Sequence, residues 1–215
     1  MHQLGYQQFA VHGGDIGAHI SLELGVTQPK SLLGIHVLQV FAFPNSPEEM
    51  EKLSEEEMKR LHHMFDFQKR AGYLAIQSTR PLTLAYSLTD SPIGQLSWSA
   101  DFYAVFGDTI DEVDKDFLLT NVMIYWITQT ANSSSCLYFE DEQSGVTREK
   151  KLNTVPTGVA VFPNDFQSFR RFAERENHIV HWSEFDQGGH FAAIEEPESL
   201  VGDIRTFFKE IRNTR

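Results

Sequence analysis

Cysteine is almost absent from this chain. One residue, Cys136, occurs in 215, which excludes an internal disulfide framework and a cysteine-built metal site. Basic charge is scarce as well. Eighteen Lys and Arg stand against thirty Asp and Glu, a formal net charge of −12, and an acidic surface of that kind repels nucleic acid and anionic membranes. No apolar run reaches the roughly 18 residues that a membrane-spanning helix needs, and Met1-His2-Gln3-Leu4 has none of the features of a secretory signal. These absences lead us to expect a soluble, cytoplasmic protein with no nucleic-acid partner and no membrane segment in this chain. What is present is ordinary: 41% hydrophobic and 12% aromatic residues, enough for a packed core.

Segment types alternate along the chain. A short aromatic and β-branched run from Tyr6 to His12 reads as a strand, followed by Gly13-Gly14 and a helix over Ile16 to Leu24 that Gly25 stops. Ser31 to Val40 is apolar and short enough for a buried strand. Pro47-Glu48-Glu49 then opens a charged helix, which Ser54-Glu55-Glu56-Glu57 restarts in a capping-box pattern. Positions 71 to 142 read as helical throughout, punctuated by Pro81 and Pro92. Within them Asp108 to Asp116 is a surface loop, and Leu118 to Gln129, apolar nearly all round, is a buried helix. Glu140 to Lys151 reads as a polar linker. Strand signals return at Gly158 to Phe162 and Ile179 to Phe185, with helices over Phe166 to Arg175 and Glu198 to Arg212. The pattern is β-α-β, a helical insertion, then β-α-β-α: an α/β protein with a mostly parallel sheet. Its divisions are a core over 1–45, a helical cap or lid over 46–150 and a second core segment over 151–215. Four strands are few for an open sheet of this kind, so the chain reads as lacking its front part.

Three motifs carry chemistry. Gly13-Gly14-Asp15-Ile16-Gly17 sits where a strand turns into a helix, as in the G-x-nucleophile-x-G elbow that lifts one side chain above a sheet edge. Aspartate holds the elbow position, and a carboxylate there can displace a leaving group at carbon to form an ester; it can also simply cap the helix. Gln187-Gly188-Gly189-His190-Phe191 places a histidine just past the last strand, and Phe162-Pro163-Asn164-Asp165 places an acid after the strand before it. The chain order of nucleophile, acid and histidine is that of the α/β-hydrolase arrangement. Glu184 is a reserve acid. His62-His63 reads as a solvated pair on a charged helix, Met58 and Met64 as helix packing, and Cys136 as a small buried residue.

At this point the sequence resembles the epoxide hydrolases of the α/β-hydrolase fold, in the branch of the microsomal and juvenile-hormone enzymes. The matching segments are His12-Gly13-Gly14-Asp15-Ile16-Gly17, Gly72-Tyr73-Leu74-Ala75-Ile76-Gln77, Leu88-Thr89-Asp90-Ser91-Pro92-Ile93-Gly94 and Leu118-Leu119-Thr120-Asn121-Val122. Tyr125-Trp126, Val155-Pro156-Thr157-Gly158 and Gly188-Gly189-His190-Phe191-Ala192-Ala193 continue the series. The resemblance implies an enzyme that opens an oxirane to a vicinal diol without cofactor or metal, acting on lipophilic epoxides such as xenobiotics. By the same resemblance Asp15 is the nucleophile, His190 the base that activates water, and Asp165 its acidic partner. Tyr73 and Tyr138 resemble the lid tyrosines that donate hydrogen bonds to the epoxide oxygen, and the backbone N–H of Ile16 one donor to the oxyanion. The family's first strands and His-Gly-x-Pro loop do not occur in these residues. We therefore expect a nucleophile strand with an unpaired edge, prone to self-association, and an oxyanion site with one of its usual donors. Two alternatives stay open: a haloalkane dehalogenase-like hydrolase, although Ile16 stands where that family has tryptophan, and a catalytically inactive fragment.

Overall fold

The computed structural model describes residues 1–27, 30–107, 113–144 and 151–213. They fall into two compact units, one of residues 1–64 and 150–215 and one of residues 65–149. The first is built on four parallel strands in the order β1 (Phe9–Gly13), β2 (Leu32–Val37), β3 (Asn153–Val161) and β4 (Asn177–Glu184). The central strands β2 and β3 are buried on both faces, which is why they read as continuous apolar runs. Along β2, Ile35 and Val37 join Val159, Val161 and Ala18 of α1 (Ile16–Thr27) in the main core. On the opposite face Gly34, His36 and Gly158 lie against Phe207 of α11 (Pro197–Asn213).

Several boundaries differ from those read in the sequence. Helix α1 runs through Gly25 to Thr27 instead of stopping there. Gly25 is buried because a Cβ would come within 2.3 Å of Asn153 Oδ1 and 2.6 Å of Ile35, so this glycine admits the sheet and does not end the helix. Strand β1 begins at Phe9 rather than Tyr6, and the helix expected over Phe166 to Arg175 is only the short α9 (Arg170–Ala173). Helices α2 (Pro47–Glu51) and α3 (Glu55–Arg70) form as expected, and the reciprocal Ser54–Glu57 bonds complete the capping box. Met58, Leu61 and Met64 pack with Phe169 and Phe172, and the first compact unit extends to Met64.

The second unit is helical: the end of α3, then α4 (Gly72–Thr79), α5 (Pro81–Asp90), α6 (Pro92–Phe106), α7 (Lys115–Thr128) and α8 (Ala131–Ser144). The expected linker over Glu140 to Lys151 is helical as far as Ser144, and the rest of it lies outside the described residues except Lys151. Likewise most of the loop over Asp108 to Asp116 lies outside them, while Asp114 caps α7 by accepting from the Phe117 N–H. Helix α7 corrects the expectation of a buried helix. Val122 is its buried residue, whereas Ile124 and Ile127 are 58% and 70% exposed. Apolar residues all round a helix show that any face can be buried; neighbouring elements decide which one is.

A polar network underlies the α11 face of the sheet. His36, fully buried, bonds through Nε2 to Asp203 Oδ2 at 2.9 Å and through Nδ1 to His12 Nδ1 at 2.9 Å. His181 and Ser183 of β4 donate to the other carboxylate oxygen of Asp203. A carboxylate only accepts, so His36 donates to Asp203 through Nε2, while its Nδ1 shares one hydrogen bond with His12 Nδ1. Burial tends to raise the Asp203 pKa, but the donors from His36, Ser183 and His181 outweigh it and hold the group at about 2. For His12, burial and then the His36 charge bring the pKa down from 6.5 to about 4. The unfolded chain therefore takes up a proton at His12 that the fold refuses. We predict that urea-unfolding free energy declines as pH falls from about 6.5 to about 4. His12→Asn, which keeps a hydrogen-bonding group without titrating, should flatten that stretch of the profile.

Candidate active site

All four strands of the first unit are parallel, so their C-terminal ends lie along one edge of the sheet. The candidate residues occupy the segments that leave this edge. Asp15 follows β1 and has φ of +53°, a left-handed conformation costly for a residue with a side chain. The turn is tight: a Cβ on Gly13 would sit 2.2 Å from the Gly17 carbonyl oxygen. The carbonyl of Asp15 accepts from the Ala18 N–H at 2.9 Å and so starts α1. Its side chain is 53% exposed at the sheet edge. Ile16 is the first residue of α1, and its N–H belongs to the turn whose donors lack intrahelical acceptors.

The loops after β3 and β4 run side by side. Asn164 N–H donates to the Gly188 carbonyl at 3.2 Å, and Asn164 and Gly189 form an isolated bridge. Gly188 has φ of +92°, and a Cβ there would meet Phe162 at 2.9 Å, so both backbone and space call for glycine. This pairing brings His190 to Asp165, with Nδ1 and Oδ1 2.9 Å apart. Asp165 is 5% exposed. His190 Nε2 points toward Asp15, 3.9 Å from Oδ2. That separation exceeds a hydrogen bond, so the imidazole does not tie up the carboxylate. Burial works to lower the His190 pKa, but the bond and charge of Asp165, then the charges of Asp15 and Glu195, more than offset it and leave the group above its ordinary value.

Three residues near this cluster were not expected in it. Gln39, fully buried two residues beyond β2, accepts from the Asp15 N–H at 2.6 Å and donates to Asp165 Oδ2. No motif marks it, and in the sequence it reads as part of an apolar strand. His63, expected to be solvated with His62, is half-buried and bonds to the Asp165 carbonyl at 3.0 Å. Arg60 is buried and bonds to Glu184 at 2.7 Å and to the Ser168 carbonyl at 2.8 Å. Burial tends to raise the Glu184 pKa, but bonds from Trp182 and Arg60 outweigh it and keep the group below the usual value. Glu184 is thus engaged by Arg60 and Trp182, and Asp165 is the carboxylate bonded to His190.

In the helical unit Tyr73 of α4 and Tyr138 of α8 are half-buried and meet edge to face, with ring centroids 6.0 Å apart. Phe102 and Phe106 of α6 pack against the Tyr73 ring at 4.8 and 5.3 Å. Cys136, expected to be buried, is half-buried and donates to Asn132 Oδ1. Among the described residues there is no cluster of three or more His, Cys, Asp or Glu that could hold a metal, and no helix long and apolar enough to cross a membrane.

The geometry yields a direct prediction. Asp165→Asn removes the charge that raises His190 while leaving its burial, so the histidine pKa, followed by NMR titration, should fall below the wild-type value. Because the folded-state pKa is raised, His190 contributes stability that is full below about 6.5 and lost as pH rises through that raised value. Asp165→Asn should abolish this contribution.

No family model matches the chain. Individual relatives do. A Stigmatella aurantiaca protein provisionally named an epoxide hydrolase is 35% identical over 99% of this chain and 49% of its own length. Epoxide hydrolase 1 of Sus scrofa is 31% identical over 96% of this chain and 52% of its own. Among solved structures, the juvenile hormone epoxide hydrolase of the silkworm Bombyx mori aligns over all of this chain and 57% of its own, with a TM-score of 0.87 at 27% identity. The chain spans about half the length of the curated relatives it matches. Sequence and fold together identify it as a homologue of the epoxide hydrolases of the α/β-hydrolase fold, matched over about half of their length.

Proposed function

We propose that the chain carries the chemistry of an epoxide hydrolase, opening a lipophilic epoxide to a vicinal diol in two steps. The observation that carries the proposal is the elbow carboxylate of Asp15 beside His190, whose far nitrogen is held by buried Asp165. In the first step an Asp15 oxygen attacks an oxirane carbon, the carbon–oxygen bond breaks, and the released oxygen takes a proton. Tyr73 and Tyr138 are the proposed donors, since phenols with pKa near 10 stay protonated at neutral pH. Hydrogen bonding to an oxygen as charge develops on it lowers the barrier. In the second step His190 Nε2 takes a proton from water, and the hydroxide attacks the ester carbonyl of Asp15. Collapse expels the diol oxygen, which takes the proton held by His190. The proton left on the Asp15 acid returns through solvent to the tyrosine that gave its own, restoring a carboxylate that keeps one oxygen from water. The N–H of Ile16 is the proposed donor to the transient oxyanion, and Asp165 stabilises the imidazolium that forms. No cofactor takes part.

Intact-mass spectrometry with styrene oxide tests each step. Wild type should release phenylethanediol, Asp15→Ala should form no adduct, and His190→Gln should accumulate an ester on Asp15. Tyr73→Phe and Tyr138→Phe should each slow adduct formation, and the double variant should nearly stop it. Wild-type turnover with no adduct in His190→Gln would exclude the two-step route.

The edge strand β1 and its exposed surroundings, Leu4, Tyr6 and Ile20, favour pairing with a second copy of the chain. Light scattering should show a concentration-dependent dimer, and a monomer throughout would oppose this reading. The single, half-buried cysteine favours a reducing compartment such as the cytoplasm.

A further inference from the structure

We propose that Gln39 is a positioning residue that ties the carboxylate of Asp165 to the backbone of the nucleophile turn. Its side chain is fully buried, and both ends of its amide are engaged. The Asp15 N–H can only donate and the Asp165 carboxylate can only accept, so one orientation of the amide serves both: Oε1 toward Asp15, Nε2 toward Asp165. Each contact constrains something specific. Accepting from the Asp15 N–H secures the one residue of the turn held at φ of +53°. Donating to Asp165 Oδ2 fixes the carboxylate plane, so that Oδ1 faces His190 Nδ1 at 2.9 Å. With Nδ1–H committed to Asp165, the remaining nitrogen of His190, Nε2, faces Asp15.

The link is short and spans distant parts of the chain. Residues 15, 39, 165 and 190 leave four successive parallel strands, and the amide of Gln39 joins the first of these segments to the third. The fourth is joined to the third by the His190–Asp165 bond. A displacement at the turn is thereby transmitted to the histidine through two side chains. A buried glutamine serving only to satisfy its own polar atoms would affect stability alone; a positioning glutamine also moves the titration of His190. The charged and titratable groups around that histidine are Asp165, Asp15 and Glu195, with His63 on the Asp165 carbonyl.

The kinetic consequence of this link rests on the hydrolytic reading above, whereas the link itself does not, and the experiment separates the two. In the wild-type chain, the side-chain amide protons of Gln39 are followed by NMR across the His190 titration. Their shifts should change with the midpoint of His190, because Asp165 joins them; flat shifts overturn the proposal without any variant having to fold. In Gln39→Met, similar in size but unable to hydrogen-bond, the untied carboxylate turns away from the imidazole. The His190 pKa should then fall by about half a unit or more. An unchanged pKa, or a rise, in a folded variant overturns the positioning role. Styrene oxide with the wild-type chain supplies the second arm. No adduct and no diol, together with coupled Gln39 and His190 shifts, would remove the hydrolytic reading and leave the link standing.

Discussion

Parallel pairing of four strands is the constraint on which the rest of the first unit depends. Because β1 to β4 run in one direction, each ends at the same edge of the sheet. The four segments leaving that edge bear Asp15, Gln39, Asp165 and His190. Residues separated by as many as 175 positions in the chain become neighbours without any long loop reaching across the molecule. The same pairing requires helices on both faces, which α1 and α11 supply to the two sides of β2 and β3.

Two of the polar systems in this unit differ in what surrounds them. On the α11 face, His12, His36, His181 and Ser183 gather around Asp203, whose carboxylate stays ionised because three donors point at it. At the sheet edge, Asp165 has similarly engaged oxygens, one bonded to His190 and the other to Gln39. The first system holds a helix against strands. In the second the histidine retains 26% side-chain exposure and faces a half-exposed carboxylate. Burial of a charged group is tolerable in either case because its hydrogen bonds are completed. What makes the edge site the chemical candidate is that one nitrogen of its histidine faces the exposed Asp15 carboxylate.

Much of this organisation was legible in the residues themselves. The order of strands and helices followed from apolar runs bounded by glycine and proline, and the capping box at Ser54 from spacing alone. Asp15, Asp165 and His190 were recognisable because each lies in a glycine- or proline-marked turn after an apolar run. Local patterns failed where the deciding contact is distant in sequence. Gly25 reads as a helix stop until Asn153 and Ile35 are seen against it. Helix α7 reads as buried, yet most of its apolar residues are exposed. His63 reads as solvated until the Asp165 carbonyl lies 3.0 Å from it.

The sequence by itself determined the element types, the parallel sheet and the three chemical turns, since backbone preference and apolar periodicity are local properties. The conformation of Asp15, the choice of Asp165 over Glu184 beside His190 and the role of Gln39 were decided only by tertiary structure. The physical reason is that a side chain's protonation, orientation and hydrogen-bond partners depend on what lies within a few ångströms of it. That neighbourhood is assembled from strands far apart in the chain.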